Sequence, residues 1–331
     1  MKYTLAATAF ALGLAFGAQS ASAQVSWNLS NEYPPNSLHA QSSDAFIKML
    51  DDATGGAIKV TAHHGAALGY KSLDHFDAVG DGAIELASSF VGGWAGINPV
   101  FLVSSLPFLA PTAEDNRALY EATKPYYEEV LAEANQIFLF ATPWPPSGLW
   151  GNKPLDSIDA LKNVRIRTYD AAGTVTLRGA GAAPIQLSWA DTVPQLSTGG
   201  IEGVLTSADG GAAAQLWEHQ SHFTEVNYAM PLQIVHMNRD AFEGLTDEQK
   251  KAVTEAAKGA EEFGWNLLGN RVQENYAQMR SHNMTVIEDV PAEYLEALGA
   301  AATPAVDDWK TKFGAEKSAA LLGKYEELRN K

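Results

Sequence analysis

An α/β fold of two domains hinged about a cleft, with one long helix crossing both, is predicted for this 331-residue chain by three observations. The first is a strand–helix–strand–helix–strand block over residues 164–169, 171–183, 184–189, 191–199 and 201–207. The second is an earlier series of strands separated by helical patterns, the order that makes a parallel sheet. The third is a capping box at Thr246-Asp247-Glu248-Gln249 that opens a helical pattern to about His282. At 1.5 Å per residue such a helix is roughly 50 Å long, more than one domain's width.

Taken in order, residues 1–23 have the form of an export signal. Lys2 supplies a basic start, residues 6–18 are apolar and uncharged, and Ala21-Ser22-Ala23 has the A-x-A form of a cleavage site. A membrane anchor needs ~20 continuous apolar residues; this stretch is shorter and ends in small polar residues. The expected mature chain starts at Gln24, in the periplasm, and no later run is long enough to span a bilayer.

Val25-Ser26-Trp27-Asn28-Leu29 has the pattern of a strand and runs into the turn Asn31-Glu32-Tyr33-Pro34-Pro35. Asn36 can cap a helix whose apolar positions, Leu38, Phe46, Met49, Leu50 and Ala53, follow a 3.6-residue period until Gly55-Gly56. Ile58, Val60 and Ala62 alternate as a strand; a short helix over 72–79 and a strand over 84–90 follow. Thr112 is an N-cap, and 136–142 is a hydrophobic strand.

Pro143-Trp144-Pro145-Pro146-Ser147-Gly148 is the clearest punctuation in the chain and marks the first crossing between domains. The long extended stretch 223–237 is the return crossing. Gly264 and Gly269, in the middle of the long helix, allow a bend or a change of register. Two more helices follow Pro291. The expected domains are 24–147 with about 238–265, and 148–237 with about 266–331.

Composition narrows the function. A formal charge of −16 argues against nucleic acid and anionic lipid as partners. It also repels anionic solutes at long range, so an anion must be caught by a local cation in a dry cleft. The absence of cysteine removes disulfides, thiolate metal sites and a Cys nucleophile.

Motifs for catalysis and cofactors fail in the same way. Gly179-Ala180-Gly181 comes at the end of a helix, where it is a C-cap and not a dinucleotide loop. His63-His64 has no partner at i+4, and His219 and His222 have no third ligand nearby. No nucleophile elbow, Walker loop or H-E-x-x-H is present. No cofactor and no metal are expected.

The strongest candidate is Arg167, near the end of the first strand of the βαβ block, because strand ends at a topological switch point are where small ligands bind. A guanidinium there is a fixed two-pronged fork for a carboxylate. Arg165 shares its face, so the pair reads either as solvated edge arginines or as part of a pocket. A buried arginine needs a partner, and where the protein offers none the ligand supplies it.

Trp144, Trp150, Trp189 and Phe90 lie beside the crossing or the βα turns. There they can line a pocket or box a quaternary or sulfonium cation; Trp27, Trp217, Trp265 and Trp309 are assigned to the core. Glu32 and Asn31, Thr206, Ser207 and Asp209, and His236 are polar groups at plausible cleft edges, though each alone is better explained by a cap or turn. Asp191 reads as an N-cap with Pro194 in the first turn.

Five segments then carry a family likeness: Gly65-Ala66-Ala67-Leu68-Gly69, Leu106-Pro107-Phe108-Leu109, Ala160-Leu161-Lys162-Asn163-Val164-Arg165-Ile166-Arg167, Trp189 to Asp191, and Leu196-Ser197-Thr198-Gly199-Gly200-Ile201-Glu202-Gly203. In this order and at these spacings the chain resembles a periplasmic solute-binding protein of the TRAP transporter family, the DctP-like type. The resemblance implies a two-domain Venus-flytrap fold that closes around a carboxylate, with a long helix across both domains and a membrane permease as partner. It also implies that Arg167 pairs with the carboxylate and that Trp189 is the aromatic preceding the acid of the next helix. Many members carry Asn-Pro where this chain has Thr206-Ser207, so a dicarboxylate is not implied; an aromatic acid, a sugar acid or a zwitterion such as ectoine remains open. Two rival readings stand beside it: a secreted lyase or hydrolase using Asp191, Asp209 or His236, and a sensor-linked binding protein of the same fold.

Overall fold

A computed structural model describes residues 24–331; the expected signal segment and its cleavage site near Ala23 lie outside the described residues. The chain opens with β1 (Val25–Asn31), α1 (Leu38–Thr54), β2 (Ile58–His63), α2 (Ser72–Gly80) and β3 (Leu86–Phe90). Two 3₁₀ segments, Gly92–Gly96 and Pro99–Ser105, lead into α3 (Ala113–Glu133) and β4 (Gln136–Pro143). After the proline-rich crossing come β5 (Ser147–Gly151), α4 (Ile158–Leu161), β6 (Arg165–Thr168), α5 (Ala171–Gly179), β7 (Ala183–Gln186), α6 (Trp189–Ser197), β8 (Gly203–Ser207) and α7 (Ala208–Ala213). The remainder is β9 (His222–Thr224), β10 (Leu232–Asn238), α8 (Arg239–Glu243), α9 (Asp247–Ser281), β11 (Thr285–Ile287), α10 (Ala292–Phe313) and α11 (Ala315–Arg329).

Local chemistry sets most boundaries. Ser37, one residue after the expected Asn36, caps α1 by accepting from Ala40 N, and Gly55 ends the helix with φ 56°. Thr112 caps α3 through Asp115 N. The box at α9 is complete: Gln249 N donates to Thr246 Oγ1, and Thr246 N donates to Gln249 Oε1.

Two sheets divide the molecule. The first has the order β2-β1-β3-β10-β4 and the second β11-β9-β5-β8-β6-β7. In the first, β1 runs parallel to β2 on one side and β3 on the other. In the second, β6 runs parallel to β7 on one side and β8 on the other. Each sheet therefore has a switch point where consecutive crossovers leave in opposite directions, and residues after the strand ends there face open space.

The extended run 223–237 is two strands belonging to different sheets. β9 pairs with β5 and β11, whereas β10 pairs antiparallel with β3 and β4 of the first sheet. The return crossing is thus 225–231, within the expected stretch but ahead of the expected domain boundary at 237/238, and β10 belongs with the first lobe. The C-terminal segment is also shared. Tyr294 and Leu298 of α10 pack in the core of the second sheet, while Trp309 and Phe313 of α10 and Leu321 and Tyr325 of α11 pack with Phe101, Leu119 and Tyr127 of the first lobe.

α9 is a single uninterrupted helix of 35 residues. Val253, Ala256, Ala257 and Ala260 bury against α1 and the first sheet; Tyr276 and Met279 bury in the core of the second. Gly264 is not a bend. A Cβ there would run into Thr142 of β4 and Ser42 of α1, so the glycine permits close approach of helix to sheet. No helix among the described residues is long and apolar enough to cross a membrane.

Candidate functional site

The two switch points face each other. Glu32 and Tyr33 follow β1 and Phe90 ends β3 on one lobe; Arg167 lies near the end of β6 with Tyr169 just after the strand, and Thr206 and Ser207 end β8 on the other. Between them is a small cavity lined by Tyr33, Phe90, Trp144, Ser147, Arg167, Tyr169, Trp189, Thr206, Ser207 and Pro231. It continues outward into a wider space whose wall adds Glu32, Leu73 and the segment Gln186–Ser188.

Arg167 is 3 % exposed. Its Nε donates to Leu187 O (3.0 Å) and its Nη1 to Leu205 O (3.3 Å). Its Cζ lies 5.4 Å from the Trp189 ring centre and 5.8 Å from that of Tyr169, within cation–π range. Burial lowers its affinity for a proton, and the nearby carboxylates of Glu32 and Asp170 act in the other direction. Among the described residues no carboxylate forms an ion pair with it. Two neutral carbonyls orient the guanidinium, and the nearby carboxylates of Glu32 and Asp170 act on it from a distance without bonding to it.

The walls are aromatic. Tyr33 meets Trp144 edge-on at 4.6 Å and Trp189 at 5.9 Å, and Phe90 meets Tyr169 edge-on at 5.3 Å. Trp144 Nε1 donates to Gln233 Oε1 (3.3 Å), which fixes the ring. Tyr169 O–H donates to Ser147 Oγ (3.3 Å), and Ser207 caps α7 by accepting from Gly210 N (3.0 Å). Asp170, next to Tyr169, caps α5 through Gly173 N, and burial pushes its carboxyl up to about 7.

Of the ten residues expected at the cleft, Arg167, Trp189, Phe90, Trp144 and Thr206 line the inner cavity and Glu32 the outer space. Four lie elsewhere. Arg165 shares the face of Arg167 but sits at the opposite end of β6, exposed and paired with Glu202 (3.2 Å). Trp150 is buried against Phe223 and under Gly211. Because β5 is antiparallel to β8, its first residue Ser147 lies opposite Ser207 at the cavity while Trp150 is opposite Val204, further down the sheet.

Asp209 is buried in an ion pair with Arg271 (2.5 Å) and accepts from Leu38 N at the start of α1. His236 lies inside a buried relay. Gln136 Nε2 donates to Phe76 O, so its Oε1 accepts from His236 Nδ1 (2.6 Å); Ser89 then donates to His236 Nε2 (2.8 Å), His75 Nδ1 to Ser89 Oγ (2.8 Å), and Ser30 to His75 Nε2 (3.0 Å). Every nitrogen of both rings is occupied. Burial holds His75 down at about 4 and His236 well below its ordinary value.

Asp191 is not the cap of α6, a position held by Ser188; it lies three residues later, where Lys71 and Ser188 hold its carboxyl below the usual carboxylate range. Tyr33, Tyr169 and Ser147 were not singled out from the sequence. Alternation along β6 carried a signal for Tyr169, two residues beyond Arg167.

Four similarities to known proteins bear on this arrangement. Residues 29–312 match the profile of bacterial extracellular solute-binding protein family 7, DctP. A Bordetella pertussis extracytoplasmic solute receptor, DctP6, crystallised binding pyroglutamic acid, has the same fold at a TM-score of 0.87 and 28 % identity, covering 92 % of this chain and 100 % of that one. A TRAP solute-binding protein from an unidentified marine microbe, in complex with co-purified pyroglutamate, is similar at TM-score 0.87 and 27 % identity, over 92 % and 99 % of the two chains. The C4-dicarboxylate-binding periplasmic protein DctP of Rhodobacter capsulatus is 22 % identical over 95 % of each chain.

Proposed function

Because the chain belongs to bacterial extracellular solute-binding protein family 7, the DctP family of TRAP solute receptors, we propose that it captures a compact cyclic monocarboxylate of the pyroglutamate kind. Its two lobes close around the solute and deliver it to a TRAP membrane permease after export of the protein to the periplasm. The observation that carries this reading is the buried guanidinium of Arg167 at the wall of an aromatic cavity, in an ion pair with no carboxylate among the described residues. In that surrounding a carboxylate is the partner that satisfies it, bidentate and charge-assisted.

The rest of the wall supports one carboxylate and a flat ring. Among the described residues Arg167 is the single cation lining the inner cavity, so a second carboxylate would be buried without a partner, which disfavours a dicarboxylate. Ser147, Thr206 and Ser207 are few polar groups for a polyhydroxy acid, whereas five aromatic rings suit a planar ring. The two solved pyroglutamate receptors at 27–28 % identity are consistent with that choice. With Asp209 and His236 tied into internal bonds, we read the chain as a binder that returns its solute unchanged.

The test is a thermal-shift series with pyroglutamate, succinate, galactonate and ectoine at equal concentrations, followed by recovery and mass analysis of the bound acid. Pyroglutamate is expected to raise the midpoint most, as linkage requires of a molecule that binds only the folded state. Stabilisation by succinate or galactonate with none by pyroglutamate, or recovery of a chemically altered acid, overturns the reading.

A further inference from the structure

The lobes also meet outside the inner cavity, through groups that cross the mouth of the cleft. Glu32 stands at the end of β1 with both carboxylate oxygens occupied. Oε2 accepts from Ser72 N, the first residue of α2 in its own lobe, and Oε1 from Ala190 N, the second residue of α6 in the other, each at 2.9 Å. Two nine-residue helices thus point their positive ends at one buried anion from opposite sides of the cleft. Beside it, Lys71 Nζ lies 2.9 and 2.7 Å from the two oxygens of Asp191, and Ser188 O–H donates to the same carboxylate. Lys71 and Asp191 line neither the inner cavity nor the outer space.

We propose that Glu32 and the Lys71–Asp191 pair form a two-part clasp across the cleft that sets the lifetime of the closed complex, with these three acting as positioning residues. The proposal rests on the reading that solute is captured by lobe closure. The Ala190–Glu32 bond and the Lys71–Asp191 pair join one lobe to the other, so each must break before the cleft can open, while none is needed for a solute to enter an open cleft. Glu32 also fixes the backbone next to Trp189, whose ring covers Arg167, so loosening the clasp frees one wall of the cavity. Loss of the clasp therefore speeds release and leaves capture alone.

The test is stopped-flow tryptophan fluorescence with pyroglutamate as the probe. An exposed pair such as Lys71–Asp191 supports up to about a fivefold change, so Lys71→Ala and Asp191→Ala are each expected to raise koff by about twofold to fivefold with kon unchanged. The double variant should match the single ones, and the swapped pair Lys71→Asp/Asp191→Lys should return koff towards the wild-type value, which a merely structural role would not do. Glu32→Gln places an amide N–H against a backbone N–H and is expected to raise koff tenfold or more, on the scale of a hydrogen bond to a charged group. Release at the wild-type rate in Lys71→Ala, Asp191→Ala and Glu32→Gln alike, or a fall in kon with koff unchanged, overturns the clasp while leaving solute capture standing. A wild-type protein that binds none of the acids in the thermal-shift series overturns the functional reading and the clasp with it.

Discussion

Arg167 is oriented by two main-chain carbonyls and covered by two aromatic rings, and none of these removes its charge. Had an aspartate filled that role, the site would be neutral and indifferent to anions. Removing one partner of a buried charge pair costs about 3–5 kcal/mol, and each 1.4 kcal/mol is tenfold in affinity. Arg167→Ala is therefore expected to weaken carboxylate binding at least about a hundredfold in calorimetry, and an affinity near the wild-type value would refute its role. That residue was legible in the sequence because a strand followed by a βα turn announces its own C-terminal end. Trp150 was misplaced because the sequence does not say that β5 runs antiparallel to β8; Arg165 was misplaced because it shares the face of Arg167, although it occupies the start of β6 and not its end.

At the scale of elements, local rules were legible and partners distant in sequence were not. Caps, helix ends and the 35-residue α9 follow from nearby residues, but nothing in 223–237 marks which sheet β10 joins. α9 offers a matched pair of tests, since Gly264 and Gly269 sit in one helix and gain equally in propensity on becoming alanine. A Cβ at Gly269 meets nothing within 4 Å, so Gly269→Ala is expected to stabilise by about 0.5–1 kcal/mol. At Gly264 it meets Thr142 and Ser42, where overpacking of about 1–3 kcal/mol outweighs the same gain. Opposite shifts in the thermal midpoint are expected, and two shifts of one sign would contradict the close approach.

The relay from Ser30 to Gln136 ties α2, β1, β3, β10 and β4 together with neutral histidines. Their folded values lie below the unfolded value of 6.5, so an added proton goes to the unfolded chain first. The contribution of the relay is thus complete above pH 6.5 and lost as the pH falls towards 4, on the order of 3 kcal/mol for His75 alone. Urea midpoints should decline over that window, and an NMR titration in which either ring protonates near 6.5 would remove the cause.

Over the whole molecule, the formal charge of −16 and the buried cation Arg167 act on an anionic solute in opposite directions and over different ranges. The surface field reaches solution and is screened within about 10 Å at 0.1 M salt. The pair formed at Arg167 is buried and feels salt far less. An approaching carboxylate therefore meets net repulsion until it enters the cleft, the reverse of the electrostatic steering that speeds many encounters. Added salt removes the repulsion without weakening the destination. The association rate for a carboxylate is accordingly expected to rise between low and moderate ionic strength, while a zwitterion of similar size, whose net charge is zero, should show little change. Stopped-flow rates in sodium chloride separate the two terms. A carboxylate on-rate that falls with salt would mean that a positive approach to Arg167 dominates the encounter in spite of the acidic surface, and the division of labour between long-range field and local fork would have to be reversed.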